Sequence, residues 1–370
     1  MMEIALIVWP WLVAGAALLW RREATRPRLL PVAGAGHALL VFWLLGVPGA
    51  RSASDWLRLD EVAAALLPMV SLLFLLCSWY AVGYLRLRAG RSNRLFVAAL
   101  SMLLGMLSLA MQAQHLGLLW VAAEAATLMT VPLLHFSGTA RAFEATRKYL
   151  LISGTGVALS LRGSFCLGYA SLHGGGNGDL RFSVLVEQGP ALTRPWVITA
   201  WVLLLGGYGT KMGLAPMHTW KPDAYGEAPG VVGALLAGGM TTMAFVAILR
   251  VQRVVEAAGG AAMTRRTLLV FGLFSMLVAA LFLLGTPDFK RMLAYSSVEH
   301  MGILVVGAGL GGAGLGAALF HVWTNALTKG ALFLSAANIR RVAACSAAAA
   351  ACQSSSARWA SAPFRPPTAR

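Results

Sequence analysis

An all-α protein that crosses a membrane many times is what this sequence predicts, and three observations carry the prediction. Of 370 residues, 58% are hydrophobic and only 12% are charged, with a mean hydropathy of +0.71. Soluble domains carry roughly 25% charged residues, so a soluble fold of this size could not hide so much apolar surface. Apolar stretches of the length a bilayer demands, about 20 residues, recur along the chain. Arginines fall in short runs between those stretches, as the positive-inside rule requires.

Eleven spans follow in order: 4–20, 29–47, 62–85, 95–113, 116–134, 149–167, 197–213, 230–248, 268–284, 292–310 and 315–337. The first is followed by Arg21 and Arg22. It has no basic leading region and no clear small-residue cleavage site, so it reads as a retained span. The stretch from His173 to Arg194 is polar and glycine-rich, and reads as a loop outside the membrane. A glycine-rich turn near 311–314 separates the last two spans. Residues 340–370 are Ala, Ser, Pro and Arg without periodicity, and read either as a disordered tail or as out-of-frame translation. The chain therefore divides into N-terminal helices (1–94), a stretch with a broken helix (95–250), a further helical stretch (265–339) and the tail (340–370).

The formal charge of +16 could mean nucleic-acid binding, but its placement between apolar runs assigns it to membrane topology. Nucleic acid is not an expected partner; the bilayer is. Arg21, Arg22, Arg26 and Arg28 follow span one, and Arg86, Arg88, Arg91 and Arg94 follow span three. Arg141, Arg147 and Lys148 follow span five, and Lys290 and Arg291 follow span nine. These exits are expected in the cytoplasm, with the N-terminus outside. Arg250, Arg253, Arg265 and Arg266 after span eight point the other way. Cys77, Cys166, Cys345 and Cys352 have no metal or cluster spacing, so no metal and no cofactor is expected.

Ionisable residues inside spans are costly to place and mark function by default. Glu124 lies mid-span in LWVAAEAATLMTVPLL. It is a candidate proton-relay carboxylate or partner of a buried lysine. Lys211 lies in LLLGGYGTKMGLAPMHTW, where Gly206, Gly207, Gly209, Gly213 and Pro216 suggest an interrupted helix. Broken helices mark ion sites because freed backbone groups line a hydrated cavity, and a lysine desolvated there can pick up and release protons. His218, Lys221, Asp223 and Glu227 follow closely; His218 is a candidate, while Lys221 and Asp223 read as an ordinary charged loop. His321, Asn325 and Lys329 are spaced by four and share one helix face, a polar stripe able to order water. Glu299 and His300 stand in DFKRMLAYSSVEHMG as accessory candidates. His37 is alone in its span and reads as a satisfied structural histidine. No Walker loop, dinucleotide fingerprint or HExxH is present.

Taken together, EAATLMTVPLL with Glu124, EATRKYLL with Glu144 and Lys148, GTKMGLAPMHTWKPDAYGEAP, DFKRMLAYSSVEHMG and HVWTNALTKGALF resemble the antiporter-like membrane subunits. That family spans complex I, the Mrp cation/proton antiporters and the group 4 membrane hydrogenases. The resemblance runs from about Asp60 to Asn338 and is most similar to the hydrogenase-4 component F branch. It implies about fourteen helices built on two inverted five-helix repeats, each with a broken helix. It implies that Glu124 pairs with Lys211 of the broken seventh span, with His321, Asn325 and Lys329 as the polar stripe of the eleventh. Glu144 and Thr242 enter as accessory positions; Thr242 stands where many members carry a second lysine. Asn325 stands where many carry a second histidine. The spans that follow the eleventh in the family have no counterpart here, so the chain reads as C-terminally truncated.

The expected function is proton translocation in a redox-driven complex, with electrons moving in partner subunits of a hydrogenase or complex I-like assembly, in a bacterial inner membrane. A cation/proton antiporter subunit and a truncated, non-conducting scaffold are the alternatives.

Overall fold

A computed structural model describes residues 2–47, 54–88 and 90–360, with backbone alone for Met2 and 340–360. Helices account for nearly all of it. They are α1 (Met2–Leu19), α2 (Leu29–Gly46), α3 (Glu61–Arg86), α4 (Arg94–Gln112), α5 (Leu116–Leu134), α6 (Ala140–His173) and the short α7 (Phe182–Glu187). Then come α8 (Arg194–Met212), α9 (Trp220–Glu227), α10 (Gly230–Leu235), α11 (Thr241–Val255), α12 (Ala261–Leu283), α13 (Phe289–Leu310) and α14 (Ala313–Ala360). Among the described residues there is no strand, only two isolated bridges, Leu57 with Ala113 and His115 with Arg181.

Each of the eleven spans has its helix, and among the described residues seven helical runs are long and apolar enough to cross a membrane. One of these, Gly230–Leu283, carries spans eight and nine together, and Glu3–Leu19 is a shorter apolar helix. Spans seven and eleven form α8 and α14, the helices that carry Lys211 and the His321–Asn325–Lys329 stripe. The helices start where their residues supply caps. Asp60 accepts from the Ala63 amide at 2.8 Å, Thr139 from Ala142 at 3.1 Å, and Asp288 from Lys290 and Arg291 at 2.9 and 3.1 Å.

Three boundaries depart from the sequence reading. Span six begins nine residues earlier, at Ala140, because charged residues on the exposed face of an amphipathic first turn hide a helix from hydropathy. The charged region after span eight is no open loop. A π turn, Glu256–Gly260, with Gly259 at φ 79°, joins α11 to α12 directly. Residues 340–360, read as disordered or out-of-frame, continue α14 as helix, in keeping with an alanine-rich run of high helix propensity. Residues 361–370 lie outside the described set.

Small residues let backbones meet. A Cβ on Gly207 of α8 would lie 2.5 Å from the Gly156 carbonyl oxygen of α6, and one on Gly302 of α13 would lie 2.7 Å from the Gly272 carbonyl of α12. Such close approach is how membrane helices associate without a hydrophobic drive between them. The run from Gly230 through Ile248 is buried on every face and forms the axis of the bundle. On α12, Val270, Leu273, Phe274, Leu277 and Leu281 are exposed and offer the apolar surface lipid would cover.

Candidate functional site

The site is built where α8 breaks. Gly213 takes the left-handed conformation, φ 81°. Its amide reaches the Thr210 carbonyl, and that of Leu214 reaches Gly209 at 2.9 Å. This is a glycine-terminated helix end of the Schellman type. Residues 214–219 are irregular, and the chain resumes as α9. The broken helix expected from the glycine cluster is present.

Lys211, on the last turn before the break, is 2% exposed. Its Nζ lies 3.9 Å from Glu124 Oε2 on α5, donates to the Thr127 hydroxyl, and reaches the Ala123 carbonyl at 3.5 Å. Among the described residues Glu124 Oε2 has no hydrogen-bond partner. The acid and the base thus face each other as an ion pair without a locking bond, and the threonine one turn along α5 holds the ammonium. Thr130, a further turn on, donates to the Tyr149 hydroxyl at 2.9 Å, extending a polar line along α5 that the spacing 124, 127, 130 makes legible in retrospect.

His218 sits in the broken segment, nearly buried. Its ring faces Phe282 and Tyr295 with centroids 6.2 and 6.3 Å away, and its Nδ1 has no partner among the described residues.

The stripe on α14 faces α13. His321 Nε2 lies 3.0 Å from His300 Nδ1, so the two histidines are directly paired. Lys329 is buried, with Nζ 3.4 Å from the Leu293 carbonyl, and Glu299 lies within its electrostatic reach. Asn325, between them, has a buried Oδ1 without a partner among the described residues.

Glu144 and Thr242 do not join this line. Glu144 is exposed and pairs with Lys148 at 2.7 Å; Lys148 reaches Asp223 at 3.1 Å, and Asp223 reaches Arg291 at 3.0 Å. These side chains, with Arg141 and Glu227, rim a cavity of about 160 Å3. Thr242 is buried but its hydroxyl donates to the Gly238 carbonyl of its own helix, the usual habit of a threonine that finds no partner across the interface.

Sequence reading missed Lys221 and Lys290. Lys221 is fully buried rather than a loop charge, with Nζ donating to the Met212 carbonyl at 2.8 Å. Lys290 is buried too, donating to the carbonyls of Gly226 and Ala228 at the end of α9. His37 is as expected: buried, with Ser71 at 2.8 Å on one ring nitrogen and Ser108 at 2.7 Å on the other. Among the described residues, no cluster of His, Cys, Asp or Glu could hold a metal ion.

Residues 113–352 match the family described as NADH:quinone oxidoreductase/Mrp antiporter, TM. Over 246 residues the chain is 38% identical to a hydrogenase-4 component F homolog of Methylacidiphilum infernorum, a match covering 65% of this chain and 51% of that protein. The chain thus spans about half the length of that relative. It is 32% identical over 359 residues to NADH-quinone oxidoreductase subunit N of Desulforudis audaxviator, covering 91% of this chain and 70% of that one. Its fold matches a chain of respiratory complex I from Thermus thermophilus (TM-score 0.74, 26% identity, 91% of this chain and 70% of that). It also matches one of the Mrp complex of Dietzia (TM-score 0.78, 23% identity, 90% and 64%). With the family match spanning most of its helices, this chain belongs to the NADH:quinone oxidoreductase/Mrp antiporter membrane family.

Proposed function

We propose that this chain is a proton-translocating subunit of a redox-driven membrane complex, of the hydrogenase-4 or NADH:quinone oxidoreductase type. The observation that carries the reading is the Glu124–Lys211 pair at the break of α8, 3.9 Å apart, with the lysine buried and the glutamate partly exposed. A charge placed there is too costly to be idle, and the missing hydrogen bond between the two leaves the lysine free to respond to its surroundings. Redox events in partner subunits shift that balance. The charged rim of Glu144, Lys148, Asp223 and Arg291 supplies protons from one side, His218 stands in the broken segment, and His300, His321, Asn325 and Lys329 carry them along α13 and α14. The chain carries out no redox chemistry itself. It resides in a bacterial inner membrane, with other membrane subunits beside it and the N-terminus outside.

The test is Lys211→Ala in the assembled complex, reconstituted in vesicles with electron donor and acceptor. Proton uptake falls to the background of uncoupled vesicles while redox turnover partly survives. Uptake at the normal rate sinks the assignment. Flux that needs sodium and no electron donor transfers the chain to the antiporter class.

A further inference from the structure

Lys221 is a buried charge with no part in the route from Lys211 to the α14 stripe described so far. It stands on the first turn of α9 with no exposed surface. Among the described residues no carboxylate pairs with it; its contacts are the Met212 carbonyl at 2.8 Å and the face of Tyr225, whose centroid is 5.7 Å from Nζ. An ammonium has three donors, so this one is thinly held. The break of α8 is shaped around it. A Cβ on Gly213 would lie 2.6 Å from Lys221 Cδ and 2.9 Å from Nζ. The glycine that ends the helix therefore also vacates the space the lysine fills, two residues from Lys211.

On its other side Lys221 looks toward the α14 stripe. Lys329 and His300 both lie within its electrostatic reach. Tyr225, one turn along α9, meets Phe333 edge-on with centroids 5.4 Å apart, and Phe333 is one turn from Lys329. The Tyr225 and Ser297 hydroxyls face each other without a bond of normal geometry, and Asn325 Oδ1 lacks one as well. Buried polar atoms without partners, here on α9, α13 and α14, are the setting in which native proteins hold ordered water. Thr242 carries no titratable group, so it offers no alternative step between Lys211 and Lys329.

We propose that Lys221 is a proton-carrying residue that links Lys211, at the break of α8, to Lys329 and the histidine pair on α13 and α14. The proton passes from the Lys211 ammonium through water to a neutral Lys221 amine, and from there toward Lys329; each transfer leaves the donor as a neutral amine. The Met212 carbonyl, at the negative end of the α8 dipole, holds the charged form in place between transfers. The proposal rests on the proton-translocation reading above.

The experiment uses the assembled complex in vesicles, with proton uptake, redox turnover and subunit content measured for Lys221→Met, Lys221→Arg, Lys221→His and Lys211→Ala. Lys221→Arg is the deciding arm: it keeps a cation and can donate to the Met212 carbonyl, yet does not release its proton. Uptake at least tenfold lower in both Lys221→Met and Lys221→Arg, with normal subunit content and partial recovery in Lys221→His, is the expected result. Wild-type uptake in Lys221→Arg shows that the lysine only caps the helix, and overturns the proposal even if Lys221→Met fails to assemble. Wild-type uptake in Lys221→Met overturns it too. If Lys211→Ala alone retains uptake, the translocation reading fails instead, which keeps the two failures distinct.

Discussion

Arg250 shows how much a single side chain can mislead and then instruct. Counted by position, it is a loop cation after span eight that opposes the topology of every other arginine run. In the structure it is buried on α11, with Nε 2.9 Å from Asp60 Oδ2 and guanidinium donors on the Ala110, Met111 and Ala113 carbonyls. It closes the C-terminal end of α4, where backbone carbonyls are otherwise unpaired, and holds the residue that caps α3. Removing it strips Asp60 of its charge partner, leaving only the Ala63 and Gln114 hydrogen bonds, and takes a donor from three carbonyls. Arg250→Met is expected to destabilise the chain by about 3 kcal/mol, the cost of breaking a buried pair from one side, read as a lower unfolding midpoint in detergent. Burial pushes the Asp60 carboxyl up, but the Arg250 charge and hydrogen bonds outweigh it and hold the group below the usual carboxylate range. A depressed value in the folded state adds stability that is present above the unfolded value, about 3.9, and is lost as pH falls through the folded one. The gap in midpoint between wild type and Asp60→Asn should therefore be wide at pH 6 and narrow toward pH 3. An unchanged gap would show that the ion pair contributes nothing. His37 behaves as its solitary position suggested. With Ser71 and Ser108 satisfying both ring nitrogens, His37→Ala should lower the midpoint while proton uptake per assembled complex stays at the wild-type level.

The break in α8 was legible as an element and illegible in detail. Five small or breaking residues around Lys211 announce an interruption, because glycine and proline leave backbone groups that only a cavity or a neighbour can satisfy. The pairing of Lys211 with Glu124 came from the family resemblance; the residues alone mark each as a buried charge in an apolar run. Lys221 was not legible. Its neighbours Pro222 and Asp223 give it the local composition of a solvated turn, and only the packing of Trp220, Tyr225 and Phe333 around it makes the position interior. Tyr149 likewise comes from a contact between α5 and α6 that no spacing within one helix encodes, whereas Thr127 shares the α5 face of Glu124. A pair of glycines tests how specific the break is. Gly206 lies on α8 with nothing within 4 Å of an added methyl, whereas Gly213 combines a positive φ with Lys221 at 2.6 Å. Gly206→Ala should leave stability and uptake unchanged or slightly improved, as expected for an open helical glycine. Gly213→Ala should cost about 1–2 kcal/mol for the left-handed backbone alone and should abolish uptake by displacing the Lys221 side chain. Equal behaviour of the two variants would mean that the break tolerates reshaping and has no bearing on transport.

At the scale of the molecule the question is which way the bundle faces, and the structure sharpens the charge count that answers it. The ends of α1, α3 and α5 and the start of α13 meet on one side. Arg26 donates to Asn93 at 2.7 Å, Arg91 to the Phe136 carbonyl at 2.7 Å, and Lys148 and Arg291 converge on Asp223. The opposite side gathers Asp55, Asp60 and Asp179 around Arg181 and Arg250, with Arg181 held by Asp55 at 2.6 Å and Asp179 at 2.7 Å. Arg181 and Arg250 on that side are matched by carboxylates, whereas Arg253, Arg265 and Arg266 are exposed there; on the first side Arg21, Arg22, Arg28, Arg86, Arg88 and Arg94 lie in exposed basic turns. By the positive-inside rule the larger group of exposed basic turns supports the proposed orientation, with the first side cytoplasmic; burial takes Arg250 out of the count, and Arg253, Arg265 and Arg266 still stand against it. With the four native cysteines replaced, a single cysteine at Ser137 or Arg91 should react with a membrane-impermeant maleimide only in inside-out vesicles. One at Asn177, in the turn beside Asp179, should react in intact cells. The reverse pattern would put the N-terminus in the cytoplasm and turn the Glu144–Lys148–Asp223 rim into an exit rather than an intake. The polarity of the route through Lys211 and Lys329 follows from this single labelling result.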